Sequence, residues 1–456
     1  MTSNPPIPDS ISERYVGGCA GKKFSVLPLS SDSGFFEWSP RITCYGRSAC
    51  GFRRNSASQP LYDVAHGPQS DGAGNARLPF DPAEVVHNLR HERYCGPARR
   101  DAIKPALRRL YYGVRPFLPV GVRKHVQRLN ASGWQAIPFP AWPVDFTVEN
   151  LLESLLRLEL EISGAASVPF VWFWPEGFSA CVMLTHDVET AAGRDFCSVL
   201  MDVNDRYGVK SAFQVVPEKR YELTPQFVDS LRRRGFELNL HDLNHDGRLF
   251  SSRAVFAARA PAINVHLREL GCTGFRSAVL YRNPEWLQDL EIEYDMSVPN
   301  VAHLDPQRGG CCTVLPFFTG NIVELPLTTT QDYMLFHLLN DYSMDLWTLQ
   351  TESILARNGL ISLLVHPDYI MQAREMRVYE DLLKRVAWMR SRQNAWVALP
   401  KQIAAWWRQR SQMTLAQRNR RWVVEGAGCE RARIAWASIK DGRLAYDLEC
   451  PAALAA

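Results

Sequence analysis

The segment FELNLHDLNHDGRLF, from Phe236 to Phe250, sets His241 and His245 four residues apart at the end of what reads as a buried strand. Upstream, CVMLTHDVET (181–190) is an apolar run that stops abruptly in His186, Asp187 and Glu189. Downstream, LISLLVHPDY ends another apolar run in His366. Two imidazoles and a carboxylate are the ligand set of a catalytic zinc-type site, with coordination positions left for water and substrate. A further carboxylate and a further histidine would then be free to act as general base and general acid. The bland alternative makes His241 and His245 ordinary loop histidines and His366 a core histidine. His186 alternates with Asp187 along the strand, so it faces the other way and is read as a packing or supporting residue.

These side chains meet only if the elements that carry them share one end of a sheet. From Phe170 to Arg408 the chain alternates short β-type runs with helical stretches. VMLTHDV, SAFQVV, FELNLHD, CTGFRSAVL, YDMSVPN, IVELPLT, LISLLVHP and AWVALP are the strand candidates. RDFCSVLMDVNDRYG, TPQFVDSLRRRG, SRAVFAARAPAINVHLRELG and EMRVYEDLLKRVAWMRSR are helical. Such alternation predicts an α/β fold, a distorted (β/α)7-type barrel, whose strands deliver their C-terminal residues to one face. Arg276, on the fourth of these runs, joins the same face.

The 456 residues exceed one ordinary domain. The expected division is a region of irregular structure or short strands over 1–77, a helical region over 78–170, the barrel over 171–410 and a small β appendage over 411–456. Asp81 and Pro82 read as N-cap and first helical residue. Phe146 to Ile162 reads as an amphipathic helix, and Lys440-Asp441-Gly442 as a hairpin turn. Residues 99–129 are basic and apolar together, with Asp101 the single acid and Leu107, Leu110, Tyr111 and Val114 at helical spacing. Two readings stay open: peripheral attachment to an anionic membrane surface, or a helix pair docked on the main domain with its Arg face in solvent. No nucleic-acid module surrounds the patch.

The hydrophobic fraction of 46%, the charged fraction of 22% and the net charge of +4 describe a globular chain without an electrostatic bias toward one partner class. No run is long and apolar enough to span a bilayer, and the N-terminal residues lack a secretory pattern. Eleven scattered cysteines without a CxxC pair fit a reducing compartment. The expected location is cytoplasmic, including the inner face of the membrane. Cys311-Cys312, after Gly309-Gly310, reads as a tight loop. The AWW run at 405–407 reads as helix packing rather than as a sugar platform.

Over roughly residues 175–405 the chain resembles the polysaccharide deacetylase family, carbohydrate esterases that act on chitooligosaccharides and peptidoglycan. The motifs that carry the resemblance are Asp187 with Glu189, His241 with His245, Arg276, Asp295, and Leu364-Val365-His366. The resemblance implies Asp187 as base, His366 as acid, Arg276 as the cation that keeps Asp187 ionised, and a divalent metal, zinc, on His241, His245 and Glu189. Tyr281, Asp332 and Tyr333 are the substrate-binding candidates, and Asp295 is expected to orient a neighbour. The implied reaction is removal of an N-acetyl group from an amino sugar of a polysaccharide or its precursor. Two departures stand out. Val188 occupies the position where the family has its metal-binding aspartate, so either Glu189 or Asp187 must supply the metal carboxylate. The family's proline after the arginine motif is also missing from GFRSAVLYRN. Hydrolysis of a small non-sugar amide and an inactive carbohydrate-binding role are the competing functional readings.

Overall fold

A computed structural model describes residues 10–18, 24–40, 42–54, 56–58, 60–65, 69–70, 76–96 and 133–449. The basic segment 99–129 lies outside them. The chain divides into two compact units: residues 1–94, 146–178 and 406–456 form one, and residues 95–145 with 179–405 form the other.

The second unit carries the predicted barrel. Its strands are β1 (Ala180–Val188), β2 (Ala212–Val215), β3 (Glu237–His241), β4 (Gly274–Arg276), β5 (Tyr294–Asp295), β6 (Phe317–Thr319), β7 (Ile322–Glu324), β8 (Leu360–Leu364) and β9 (Ala395–Val397). They form one sheet in the order β6-β7-β5-β4-β3-β2-β1-β8, with β9 also paired to β1. From β7 to β8 every neighbouring pair is parallel, which makes seven parallel strands. Only β6 runs antiparallel to its neighbour. All nine residues of β1 are buried, as a strand covered on both faces requires.

The sheet curls so that the segment past β7 meets the edge strand β8 in a seam without a regular ladder. Past the end of β7, the Thr328 hydroxyl donates to the Leu360 carbonyl at 2.7 Å and accepts from Ser362 N at 2.9 Å. Thr329 donates to the Ser362 carbonyl at 2.7 Å. Side-chain hydroxyls therefore satisfy β8 groups that a neighbouring strand would otherwise pair.

Helices α1 (Ala191–Arg206), α2 (Pro225–Arg233), α3 (Arg253–Glu269), α4 (Asp345–Leu355) and α5 (Ala373–Arg392) connect the strands. Thr190, Thr224 and Ser252 cap the first three through their hydroxyls. The helix α4 was not among the expected elements.

In the other unit, helix Pro82–Arg90 begins as expected, with Asp81 accepting from Ala83 N and Glu84 N. Helix Thr147–Ser163 ends at Gly164, whose φ of 65° suits a left-handed terminus. The tail is not a separate appendage: strand Ile434–Lys440 pairs with Ser167–Val171 on one side and Arg443–Leu448 on the other. The expected regions 1–77 and 411–456 thus share one unit with residues 78–94 and 146–178, while 95–145 group with the barrel, because a lone hairpin cannot bury a face of its own. Asp441 and Gly442, at φ of 50° and 71°, supply the hairpin turn. Trp406 and Trp407 are buried, and the Trp406 indole donates to the Phe173 carbonyl at 2.8 Å, so the AWW run does pack a helix. No helix among the described residues is long and apolar enough to cross a membrane.

Candidate metal centre

The C-terminal ends of β1, β3, β4 and β8 bring the chemistry together. Asp187 is the penultimate residue of β1, and Glu189 follows just past its end on the same side. Val188 between them is fully buried, and its carbonyl accepts from the Tyr221 hydroxyl at 2.7 Å. His241 ends β3, and a turn carries the chain to His245. Asp242 and His245 hold φ of 60° and 54°, a region that side chains rarely adopt. This backbone strain sits between the two imidazoles and brings their ring centres to 4.8 Å.

Glu189, His241 and His245 offer three ligand atoms that all lie within 4.8 Å of one another. Glu189 Oε1 is 3.0 Å from His245 Nε2 and 4.0 Å from His241 Nε2. Both Nε2 atoms are buried without a partner in hydrogen-bonding geometry. His241 Nδ1 lies 3.2 Å from the Arg276 carbonyl, which can only accept. Nδ1 therefore carries the proton and Nε2 the lone pair, the tautomer a metal needs. The Glu-His-His donor set, with the lone pair of His241 Nε2 turned into it, fits a divalent cation.

His245 is supported differently. Arg220 donates to its Nδ1 at 2.9 Å and to its carbonyl at 3.0 Å. A guanidinium only donates, so Nδ1 presents its lone pair to Arg220 and the ring proton sits on Nε2, toward Glu189. For His245 to ligate through Nε2, Arg220 must release Nδ1 and keep only the carbonyl.

Arg276 is fully buried at the end of β4. It donates to Thr185 Oγ1 at 2.8 Å and Asp187 Oδ1 at 2.9 Å, and to the Met296 carbonyl at 3.0 Å. Burial alone would raise the Asp187 carboxyl, but Arg276, then His241 and His366, outweigh it and hold it below its ordinary value. The free Oδ2 lies 3.6 Å from His241 Nε2 and 4.0 Å from His366 Nε2. Glu189 is likewise depressed, against the effect of burial, chiefly by His245 and His241.

His366 donates from Nδ1 to Asp332 Oδ1 at 2.6 Å, and its backbone N–H donates to Oδ2 at 2.7 Å. Its Nε2 faces Glu189 Oε1 at 3.7 Å. Burial would lower this imidazole, but Asp332 and then Glu189 and Asp187 push it up to about 10. Asp332 itself is fully buried with both oxygens engaged by His366. That corrects its expected place among the substrate-binding residues: it stands behind the histidine rather than in a cleft. Tyr333 is half-buried, with its ring centre 5.3 Å from that of Tyr369, which in turn lies 5.0 Å from His366. Tyr281 is buried just past the helical turn Ala278–Leu280 that follows β4.

His186 faces away from Asp187, as alternation requires. It donates to the Val365 carbonyl at 3.0 Å, packs against Tyr379, and burial lowers it to about 4, so it stays neutral. Asp295 accepts from the Ser297 hydroxyl at 2.7 Å, and Ser297 Oγ accepts from Ser277 N at 2.9 Å, which fixes the chain just past Arg276. Cys311 and Cys312 are buried, and their thiols face backbone carbonyls of their own loop.

Of three supporting residues, Arg220 was not foreseen from the sequence, while Asp368 and Tyr369 were expected on the shared face with His366 but without a role. The last two lie just after His366, and their position beside a strand-end histidine was the available signal. Nothing in the local sequence ties Arg220 to His245.

No family model and no curated sequence matches the chain. Among solved structures, it is similar to a candidate polysaccharide deacetylase from Mycobacterium smegmatis, at 18% identity and a TM-score of 0.43 over 52% of this chain and 93% of that one. It is also similar to Puue allantoinase, at 12% identity and a TM-score of 0.40 over 51% and 92% of the two chains. A third similar structure is the peptidoglycan deacetylase PdaC from Bacillus subtilis, at 12% identity and a TM-score of 0.31 over 52% and 95%. Likeness at this level bears on neither substrate nor activity, for which the geometry of the site is the ground.

Proposed function

We propose that the barrel is a metal-dependent amide hydrolase that removes an N-acetyl group from an amino sugar of a polysaccharide or its precursor. One observation carries this reading: a Glu-His-His ligand group flanked by an Arg-held carboxylate and an Asp-held imidazole. Glu189, His241 and His245 would hold the metal, zinc being the cation this donor set suits. When bound, the cation supplies Lewis acidity to the amide carbonyl and acidifies water.

The chain's own residues divide the proton work. Asp187, kept ionised by Arg276, presents Oδ2 to take the proton of the attacking water. His366, kept protonated by Asp332, presents Nε2 to give a proton to the departing amine. Amines leave poorly unless protonated, so a strongly basic imidazole suits an amide better than an ester. Val188 does not abolish the carboxylate ligand on this reading, because Glu189 takes its place.

The test is metal analysis of the purified protein together with acetate release from N-acetylated glycans, set against a panel of small amides. Turnover that is lost in His241→Ala supports the proposal. A pure protein that binds no divalent metal and hydrolyses nothing in the panel defeats it, and sugar binding without turnover would favour the inactive reading.

A further inference from the structure

Glu189 stands outside the strand, one residue beyond the position where a β1 side chain would be held by the ladder. A ligand there needs separate support. Asp368, two residues after His366, provides contacts to that stretch. Its Oδ2 accepts from the Glu189 backbone N–H at 3.3 Å, and its Oδ1 accepts from the Thr190 hydroxyl. Thr190 in turn caps α1 by accepting from Gly193 N at 3.1 Å. The Asp368 carboxylate is seated against Gly193 so closely that a Cβ there would lie 2.8 Å from Asp368 Cγ. Next to it, the Tyr369 hydroxyl reaches Glu189 Oε2 at 3.5 Å, leaving Oε1 turned toward the two histidines.

We propose that Asp368 is the positioning residue that makes Glu189 the metal carboxylate. It pins the backbone of Glu189 and Thr190 while Tyr369 steadies the outer carboxylate oxygen. The inference rests on the reading of Glu189, His241 and His245 as a metal site. Val188 is fully buried and its carbonyl is engaged by Tyr221, so the strand residue before Glu189 contributes no ligand. The loop after β8 thus serves two functions: it delivers His366 and it anchors the carboxylate contributed just past β1.

Metal affinity, not turnover, is the readout. Zinc dissociation constants would be measured by chelator competition for the full chain, Asp368→Asn, Glu189→Gln and the double variant. Asp368→Asn is expected to weaken binding by about 10- to 100-fold, the usual effect of losing a group that orients a ligand. In the Glu189→Gln background the same change should have little further effect, because a positioning residue acts only through what it positions. Additive losses would mean a merely structural role and overturn the inference, as would unchanged affinity in Asp368→Asn. Gly193→Ala is the second variant. Alanine ordinarily favours a helix over glycine, yet here its Cβ would displace Asp368 and weaken zinc binding while the metal-free protein keeps its thermal stability. Unchanged zinc affinity in that variant also counts against the inference. If the wild-type chain binds no zinc, the metal reading fails before the role of Asp368 is reached.

Discussion

Removing the Asp332 carboxylate should separate leaving-group protonation from the rest of the chemistry. Asp332→Asn keeps the shape of the side chain but takes away the charge that faces His366 Nδ1 at 2.6 Å. In the intact pair the imidazole stands at about 10 rather than 6.5, which corresponds to about 5 kcal/mol in favour of the protonated ring. Without Asp332, burial is opposed only by the weaker influence of Glu189 and Asp187, and the ring shifts toward the neutral form. A neutral His366 cannot protonate an amine, so amide turnover near neutral pH should fall by about 10²- to 10⁴-fold. An aryl acetate, whose phenolate leaves without help, should lose far less. The assay is kcat/KM for both substrates across pH in wild type and variant, with the basic limb of the amide profile moving to lower pH in the variant. Equal losses on amide and aryl ester, or an unmoved basic limb, would refute the assignment of His366 as acid. Stability carries the same sign. His366 is raised in the fold, so its contribution is complete below 6.5 and is lost as pH rises through about 10. Asp332→Asn should therefore flatten that alkaline loss in thermal unfolding.

The same contacts set other outcomes. Arg276→Met leaves Asp187 buried without its cation, which should cost about 3–5 kcal/mol in urea unfolding. Asp187 is depressed in the fold, so its stabilisation is present above its ordinary value and lost as pH falls. In Arg276→Met burial instead raises it, and the acid limb of activity should move to higher pH. Arg220→Met frees His245 Nδ1 to carry the proton, so zinc affinity should rise several-fold by chelator competition, and a fall would contradict the tautomer argument. Thr328→Val strips the seam of a hydroxyl that both donates to Leu360 and accepts from Ser362, and should cost about 1–3 kcal/mol in chemical denaturation.

Much of the barrel is legible in residue order because its strands are apolar runs with polar ends. VMLTHDV and LISLLVHP declare both a buried strand and the end at which chemistry sits; β8 falls inside its run, and β1 ends with its run but starts two residues earlier. The strands β5 and β7 span only two and three residues, yet YDMSVPN and IVELPLT still marked them through their flanking turns. Helix α4 escaped because DLWTLQTESIL mixes polar and apolar residues without a clear stripe. The tail read as separate because strand pairing across the sequence, here Ile434–Lys440 with Ser167–Val171, leaves no local trace. Within the site, residue type foretold the converging ligands but not which groups stand behind them. Asp332 follows the strand run ELPLTTTQ as a cleft residue would, and only the fold shows its carboxylate turned onto His366. Arg220 and Asp368 act through contacts between segments that are distant in sequence, so spacing could not reveal them.

The most direct measurement of the central claim is zinc binding by the full chain, by chelator competition, in wild type, Glu189→Gln, Asp187→Asn and His245→Ala. The account predicts one zinc per chain, with binding strongly weakened in Glu189→Gln and His245→Ala and much less in Asp187→Asn. A chain that binds no zinc, or one whose zinc depends on Asp187 and not on Glu189, would contradict it.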